Sequence, residues 1–204
     1  MKELRFHGRG GQGTVLASIA LAKAFFQAGY WVQTFPVFGS ERRGAPVEAY
    51  LRLDTAQIYL RSNIYAPDHV VVQDAGLLTF LDVTRGLKPG GWILLNTPAL
   101  PADLRPFEGF CLACIDASAI ARAHGLGSKT QPITNTAMMG AFSRLFSNPP
   151  LDTVLQAIER EVPVKIEENI AAARAAFDAA TLHGQVHGTG FLPMAGPRFR
   201  KAVS

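Results

Sequence analysis

The chain has little cysteine: two residues in 204, Cys111 and Cys114. That excludes a disulfide framework, and it excludes an iron–sulfur cluster held on four thiolates of this chain alone. Long apolar runs are missing as well. Every hydrophobic stretch falls far short of the roughly 20 residues that a membrane span needs. The start, MKELRFHGRGG, lacks the apolar core of a secretory signal. The expected location is therefore the cytoplasm, with no membrane association. Basic runs interleaved with aromatics do not occur either. Twenty Lys and Arg against 16 Asp and Glu give a formal charge of +4, too mild to imply nucleic acid. An acidic partner or a phosphorylated ligand fits that balance. There is no G-x-S-x-G elbow, P-loop or zinc pattern. Among His7, His69, His124, His183 and His187, no pair has metal-ligand spacing beside a carboxylate.

What is present reads as one globular domain with a core, 48% of its residues being hydrophobic. Residues 4–7 alternate as a strand and stop at glycine. Val15, Ile19, Ala22 and Phe26 then recur at helical spacing up to Gly29. Residues 30–38 read as a strand that Pro36 assigns to a sheet edge, and residues 47–53 as another. The runs 70–72, 92–95 and 110–115 suit strands buried on both faces. Strands separated by helical segments predict an α/β fold with a doubly wound, mostly parallel sheet of Rossmann-like type. Helices fill residues 151–180, the second starting near Pro163 and carrying Ile166, Ile170, Ala173 and Phe177 on one face. The domain is expected over residues 1–182. Residues 183–204, rich in Gly and Pro and holding Arg198, Arg200 and Lys201, read as an extended basic tail. It is either frayed or an arm that orders against a partner.

Gly8-Arg9-Gly10-Gly11-Gln12-Gly13 satisfies G-x-G-x-x-G, directly after a predicted strand and before a predicted helix. Glycines there permit a tight turn and close backbone approach, and the helix start offers free N–H groups to a phosphate. The alternative is a turn that only packs the helix on the sheet. A dinucleotide site would add an acidic residue about 20 positions on. Here the second strand ends without a carboxylate, and Glu41, the first acid, lies beyond Pro36 and Gly39. NAD is disfavoured; another phosphorylated cofactor, or one shared with a neighbouring chain, fits better. In the loop that follows, Arg42 and Arg43 offer bidentate partners for phosphate or carboxylate, or pair with Glu41 or aspartates at a subunit contact. Cys111 and Cys114, three apart in a strand, point to opposite faces and read as two buried thiols. His7, near the glycine loop, reads as structural.

The segments Phe6-His7-Gly8-Arg9-Gly10-Gly11-Gln12-Gly13 and Phe35-Pro36-Val37-Phe38-Gly39-Ser40-Glu41-Arg42-Arg43-Gly44-Ala45-Pro46-Val47 resemble the gamma subunit of the pyruvate:ferredoxin oxidoreductase group of 2-oxoacid oxidoreductases. Leu60-Arg61-Ser62, Val72-Gln73-Asp74 and Pro132-Ile133-Thr134-Asn135-Thr136-Ala137-Met138-Met139-Gly140-Ala141-Phe142 resemble the same group, over about residues 3–180 in all. The resemblance implies a complex that decarboxylates pyruvate or a related 2-oxoacid on thiamine diphosphate with Mg2+. Electrons pass through iron–sulfur clusters to ferredoxin or another acceptor, and the acyl group passes to coenzyme A. Thiamine diphosphate, Mg2+ and the clusters would belong to alpha-, beta- and delta-type partners, because this chain has neither a G-D-G…N motif nor a cluster-binding cysteine set. The chain would not be catalytic alone and would hold no metal. Its implied share is subunit contact and the phosphorylated end of coenzyme A. The site residues are then Gly8, Arg9, Gly10, Gly11, Gln12 and Gly13, with Ser40, Arg42 and Arg43, and Asn135 and Thr136 at a helix start. A stand-alone Rossmann-type dehydrogenase using NAD or FAD, and a ligand-free scaffold subunit, are the competing readings.

Overall fold

The computed structural model describes residues 1–37 and 44–196. β1 (Lys2–Arg9) runs into the glycine loop, and α1 (Thr14–Gln27) starts from Gly13, whose φ of 76° suits glycine. β2 (Trp31–Val37) and β3 (Pro46–Asp54) follow as an antiparallel pair, with β3 lying between β2 and β1. The chain then crosses to the other side of β1. There β4 (His69–Val72), β5 (Trp92–Asn96) and β6 (Cys111–Ile115) join in parallel. After β6 come α2 (Ala117–Ala123), α3 (Asn135–Phe146), α4 (Leu151–Glu161) and α5 (Ile166–Ala179). β7 (Thr181–His187) and β8 (Gly190–Leu192) complete the sheet, whose order is β2-β3-β1-β4-β5-β6-β7-β8. Among the described strands only β3 and β7 run against the common direction, so the expected α/β sheet with mostly parallel strands is found.

The period of two along each strand divides the core. Phe6, Leu51, Val71, Leu94 and Cys111 face the helix layer and pack with Phe25, Phe142, Phe146 and Ile158. Val70, Val72, Ile93, Leu112 and Cys114 face the opposite side, under Val83, Leu87 and Phe107. The two cysteines are thus buried on opposite faces, as their spacing predicts. That second side is covered by short 3-10 turns at Ala75–Thr79 and Arg105–Phe107 rather than by α-helices. No helix among the described residues is long and apolar enough to cross a membrane.

Two expectations need correction. α5 begins at Ile166, not near Pro163. Lys165 takes the N-cap at a φ of 53°, and Asn169 Nδ2 donates to the Val164 and Lys165 carbonyls, which fixes that start. The segment read as a tail from His183 is, up to Leu192, part of the sheet. β7 crosses residue 183, pairs with β6 and turns through Gly188-Thr189 into β8. Gly188, at a φ of 60°, supplies the turn conformation that a two-residue hairpin favours. Val186 and Phe191 anchor the hairpin in the second core. Arg198, Arg200 and Lys201 lie outside the described residues.

α3 and α5 meet at Gly140, where a Cβ would overlap the Ala173 carbonyl. Gly140→Ala should therefore cost about 1–3 kcal/mol through overpacking, lowering Tm by about 2–4 °C per kcal/mol in a chain of this size. Thermal unfolding of the purified chain tests this, and an unchanged Tm would contradict the close approach.

Candidate functional site

The chain leaves β1 for β2 and β3 on one side and returns for β4 on the other. The strand order therefore reverses between β1 and β4, and in open α/β sheets ligands gather at the carboxyl ends beside such a point. A cleft of about 730 Å³ opens there. Arg9, Gly10, Gly11 and Gln12 form one wall. Gln73 and Asp74 from the end of β4, Asn96 from β5, and Ser118 and Arg122 from α2 form the floor and far wall. Part of the rim is the segment between Gly127 and Pro132, which are paired as an isolated β-bridge.

Asp74 organises the glycine loop. Its Oδ2 accepts from Arg9 Nε at 3.0 Å and from Gln12 Nε2 at 2.9 Å, while its Oδ1 accepts from the Gly76 amide at 2.8 Å. Gln12 Oε1 in turn accepts from the Arg9 amide at 2.9 Å. The Arg9 guanidinium also lies 5.4 Å from the centre of the Phe80 ring. Gly10 is tied to the chain entering β3: its amide donates to the Ala45 carbonyl at 2.9 Å, and its carbonyl accepts from the Gly44 amide at 3.0 Å. The Gln12 amide donates to the Arg9 carbonyl. Two of the expected backbone donors, Gly10 and Gln12, are therefore engaged within the protein. Among the described residues, the donors left to a ligand are the amides of Gly11, Gly13 and the first turn of α1, which have no partner inside the helix.

Beneath the loop, the Thr14 hydroxyl donates to Gln73 Oε1 at 3.0 Å, and Gly8 lacks the Cβ that would overlap that hydroxyl. A Cβ on Gly13 would come within 2.6 Å of Asn135 Nδ2, so α3 starts directly against the loop. Asn96 Nδ2 donates to the Gln73 carbonyl at 2.8 Å and to Ser118 Oγ at 2.9 Å. Two buried carboxamide atoms among the described residues have no hydrogen-bond partner, Gln73 Nε2 and Asn135 Oδ1.

Of the residues the sequence selects, Arg9, Gly10, Gly11 and Gln12 line the cleft, with Gly8, Gly13 and Asn135 packed beneath. Thr136 does not join them: its buried hydroxyl donates to Asn169 Oδ1 at 2.8 Å, inside the helix layer. Ser40, Arg42 and Arg43 lie outside the described residues. Sequence reasoning misses Gln73, Asp74, Asn96, Ser118 and Arg122. The available signal was a polar residue directly after an apolar strand, in Val72-Gln73 and Leu95-Asn96, where parallel strands meet the crevice.

His7 faces away from the helix layer on β1. Its Nε2 accepts from Arg5 Nε at 3.0 Å and its Nδ1 lies 3.5 Å from Glu48 Oε1. Burial, helped by the Arg5 charge, pushes its pKa down to about 3, so it is a neutral imidazole at physiological pH. Burial likewise pushes the Cys114 thiol up to about 12, which leaves no nucleophilic thiolate there.

Residues 3–179 match the family model of pyruvate ferredoxin/flavodoxin oxidoreductase. The chain is 45% identical over 179 residues to pyruvate synthase subunit PorC of Methanothermobacter marburgensis, covering 87% of this chain and 97% of that one. It is 44% identical over 188 residues to the pyruvate/ketoisovalerate oxidoreductases common subunit gamma of Thermococcus kodakarensis, covering 90% and 99%. The crystal structure of pyruvate oxidoreductase subunit PORC from Thermotoga maritima superposes with a TM-score of 0.73 at 34% identity, covering 89% and 97%. The chain belongs to the pyruvate ferredoxin/flavodoxin oxidoreductase family, as a gamma-type subunit of a 2-oxoacid oxidoreductase.

Proposed function

We propose that this subunit holds the phosphorylated end of coenzyme A in the cleft between β1 and β4, within a complex that oxidatively decarboxylates pyruvate or a related 2-oxoacid. The observation that carries this reading is the glycine loop at the strand-order reversal, with backbone donors uncommitted among the described residues and, on Gln73 in the same cleft lining, a buried carboxamide nitrogen without a partner there. The donor set suits a phosphoryl group: Gly11, Gly13 and the first turn of α1 supply N–H groups, and Arg122 supplies charge. Arg9 is already paired with Asp74, whereas no ion pair engages Arg122 among the described residues. Thiamine diphosphate, Mg2+ and iron–sulfur clusters are assigned to alpha-, beta- and delta-type partners. In support, Cys111 and Cys114 are buried on opposite sheet faces and cannot jointly ligate a cluster. Bound coenzyme A would supply the thiol that receives the acyl group. This chain's own residues would anchor its far end and so fix where that thiol reaches the partner subunits.

Arg122→Ala in the assembled complex should raise the KM for coenzyme A about tenfold, the value of one exposed charge-assisted hydrogen bond. The assay is 2-oxoacid-dependent viologen reduction with coenzyme A titrated. An unchanged KM would remove the assignment. The scaffold reading draws on the bonds that tie Gly10 to β3, and it predicts that glycine-loop variants disturb assembly while the KM stays constant.

A further inference from the structure

We infer that Gln73 contacts the bound ligand directly, its Nε2 donating a hydrogen bond to a phosphoryl oxygen held at the start of α1. The inference rests on the cleft being a phosphate site, as proposed above, and adds a residue that neither the glycine motif nor the arginines supply.

Three observations place that donor. Gln73 is the first residue beyond β4, at the reversal of strand order, and it lines the cleft although its exposure is 0%. Its remaining polar atoms are occupied: the amide donates to the His7 carbonyl at 2.7 Å, the carbonyl accepts from Asn96 Nδ2, and Oε1 accepts from the Thr14 hydroxyl. Nε2 alone has no partner among the described residues. Buried donors without partners are rare in folded proteins and mark a missing ligand or water. Finally, Thr14 is the first residue of α1, so the carboxamide is clamped beside the helix start, where unpaired N–H groups and the helix dipole attract an anion. A neutral donor suits this depth, since a buried lysine or arginine would carry a far larger desolvation cost.

Gln73→Glu separates the ligand role from the structural one. The carboxylate still accepts from Thr14 and keeps the side-chain volume, but it turns the free donor into an anionic acceptor facing phosphate. In the intact complex we expect the KM for coenzyme A in viologen reduction to rise about 10- to 100-fold. The effect should fall on that KM rather than on kcat or the KM for the 2-oxoacid. Equilibrium titration with coenzyme A, without the 2-oxoacid, should show the same loss. If the thiamine diphosphate requirement rises instead, Gln73 does meet a phosphoryl group but the coenzyme A reading fails. If Gln73→Glu changes neither while Arg122→Ala raises the KM for coenzyme A, the cleft reading stands and the Gln73 contact is overturned, its Nε2 being bonded to water. Should the glutamate variant not assemble, Gln73→Met, which has similar volume and no donor, is judged by the same comparison.

Discussion

Glu3→Leu should cost about 3–5 kcal/mol of stability, the penalty for stranding a buried charge. The charge is Arg52, whose side chain has 0% exposure. Its Nε donates to Glu3 Oε1 at 2.8 Å, and its other nitrogens donate to Gln33 Oε1 at 2.9 Å and the Asn63 carbonyl at 3.2 Å. The guanidinium also lies 5.6 Å from the centre of the Phe35 ring. Without Glu3, no carboxylate among the described residues pairs with a cation that water cannot reach. Arg52→Met should cost less, because the Glu3 side chain keeps 15% exposure and can be hydrated. The double variant should be more stable than Glu3→Leu alone, since an apolar pair of similar volume removes the stranded charge. Urea unfolding of the three variants forms the cycle that isolates the pair. A Glu3→Leu chain within about 1 kcal/mol of the parent would contradict this account.

Acid should act nearly as strongly. Unfolded imidazoles take up a proton near 6.5, while His7 resists protonation down to about 3 and His69 to about 4, in both cases chiefly through burial. The unfolded state therefore binds more protons as pH falls below 6.5, and stability falls with it until the folded histidines also titrate. Above 6.5 neither group contributes. Between pH 7 and pH 5 the two together should remove on the order of 4 kcal/mol. The geometry supplies the reason. Protonating His7 Nε2 breaks its bond from Arg5 Nε and sets two cations face to face, and protonating His69 Nδ1 breaks its bond from the Trp92 amide. Denaturant midpoints at the two pH values test the total, and His7→Gln should remove about half of the pH dependence. Stability that is flat from pH 7 to 5 would show that neither histidine is held neutral by the fold.

The spacing in α1 marked a helix but not its buried face: Phe26 is 67% exposed and Val15 and Ile19 are only partly buried, while Ala17, Leu21, Ala24 and Phe25 enter the core. The apolar strand runs were legible because each residue there has one environment, buried on a face fixed by period. The C-terminal hairpin was not. Gly184, Gly188 and Gly190 dilute its pattern, and Val186 and Phe191 only make sense as core residues once β6 lies alongside. The site divides in the same way. Arg9 to Gly13 form a local motif whose strand–loop–helix context is written in sequence. Gln73, Asn96, Ser118 and Arg122 come from three later elements and converge only through the parallel order of β4, β5 and β6. Thr136 shows the limit of helix-start reasoning. Position at an N-terminus does not say which way a hydroxyl turns, and Asn169 claims this one.

The bonds exchanged between Gly10 and residues 44–45 continue the pairing that runs from Lys2↔Leu53 to Arg9↔Pro46. The near wall of the cleft is in effect one further rung of an antiparallel ladder. Its position is inherited from the alignment of two strands whose apolar sides, Leu4 and Phe6 on one and Leu51 and Leu53 on the other, are locked in the helix layer. A slip of one residue would carry Arg5 and His7 into that layer, so the core forbids it. Tolerances at the cleft mouth are thereby set by packing remote from any ligand. Insertions or deletions within β1 or β3 would misplace the loop even with every glycine intact.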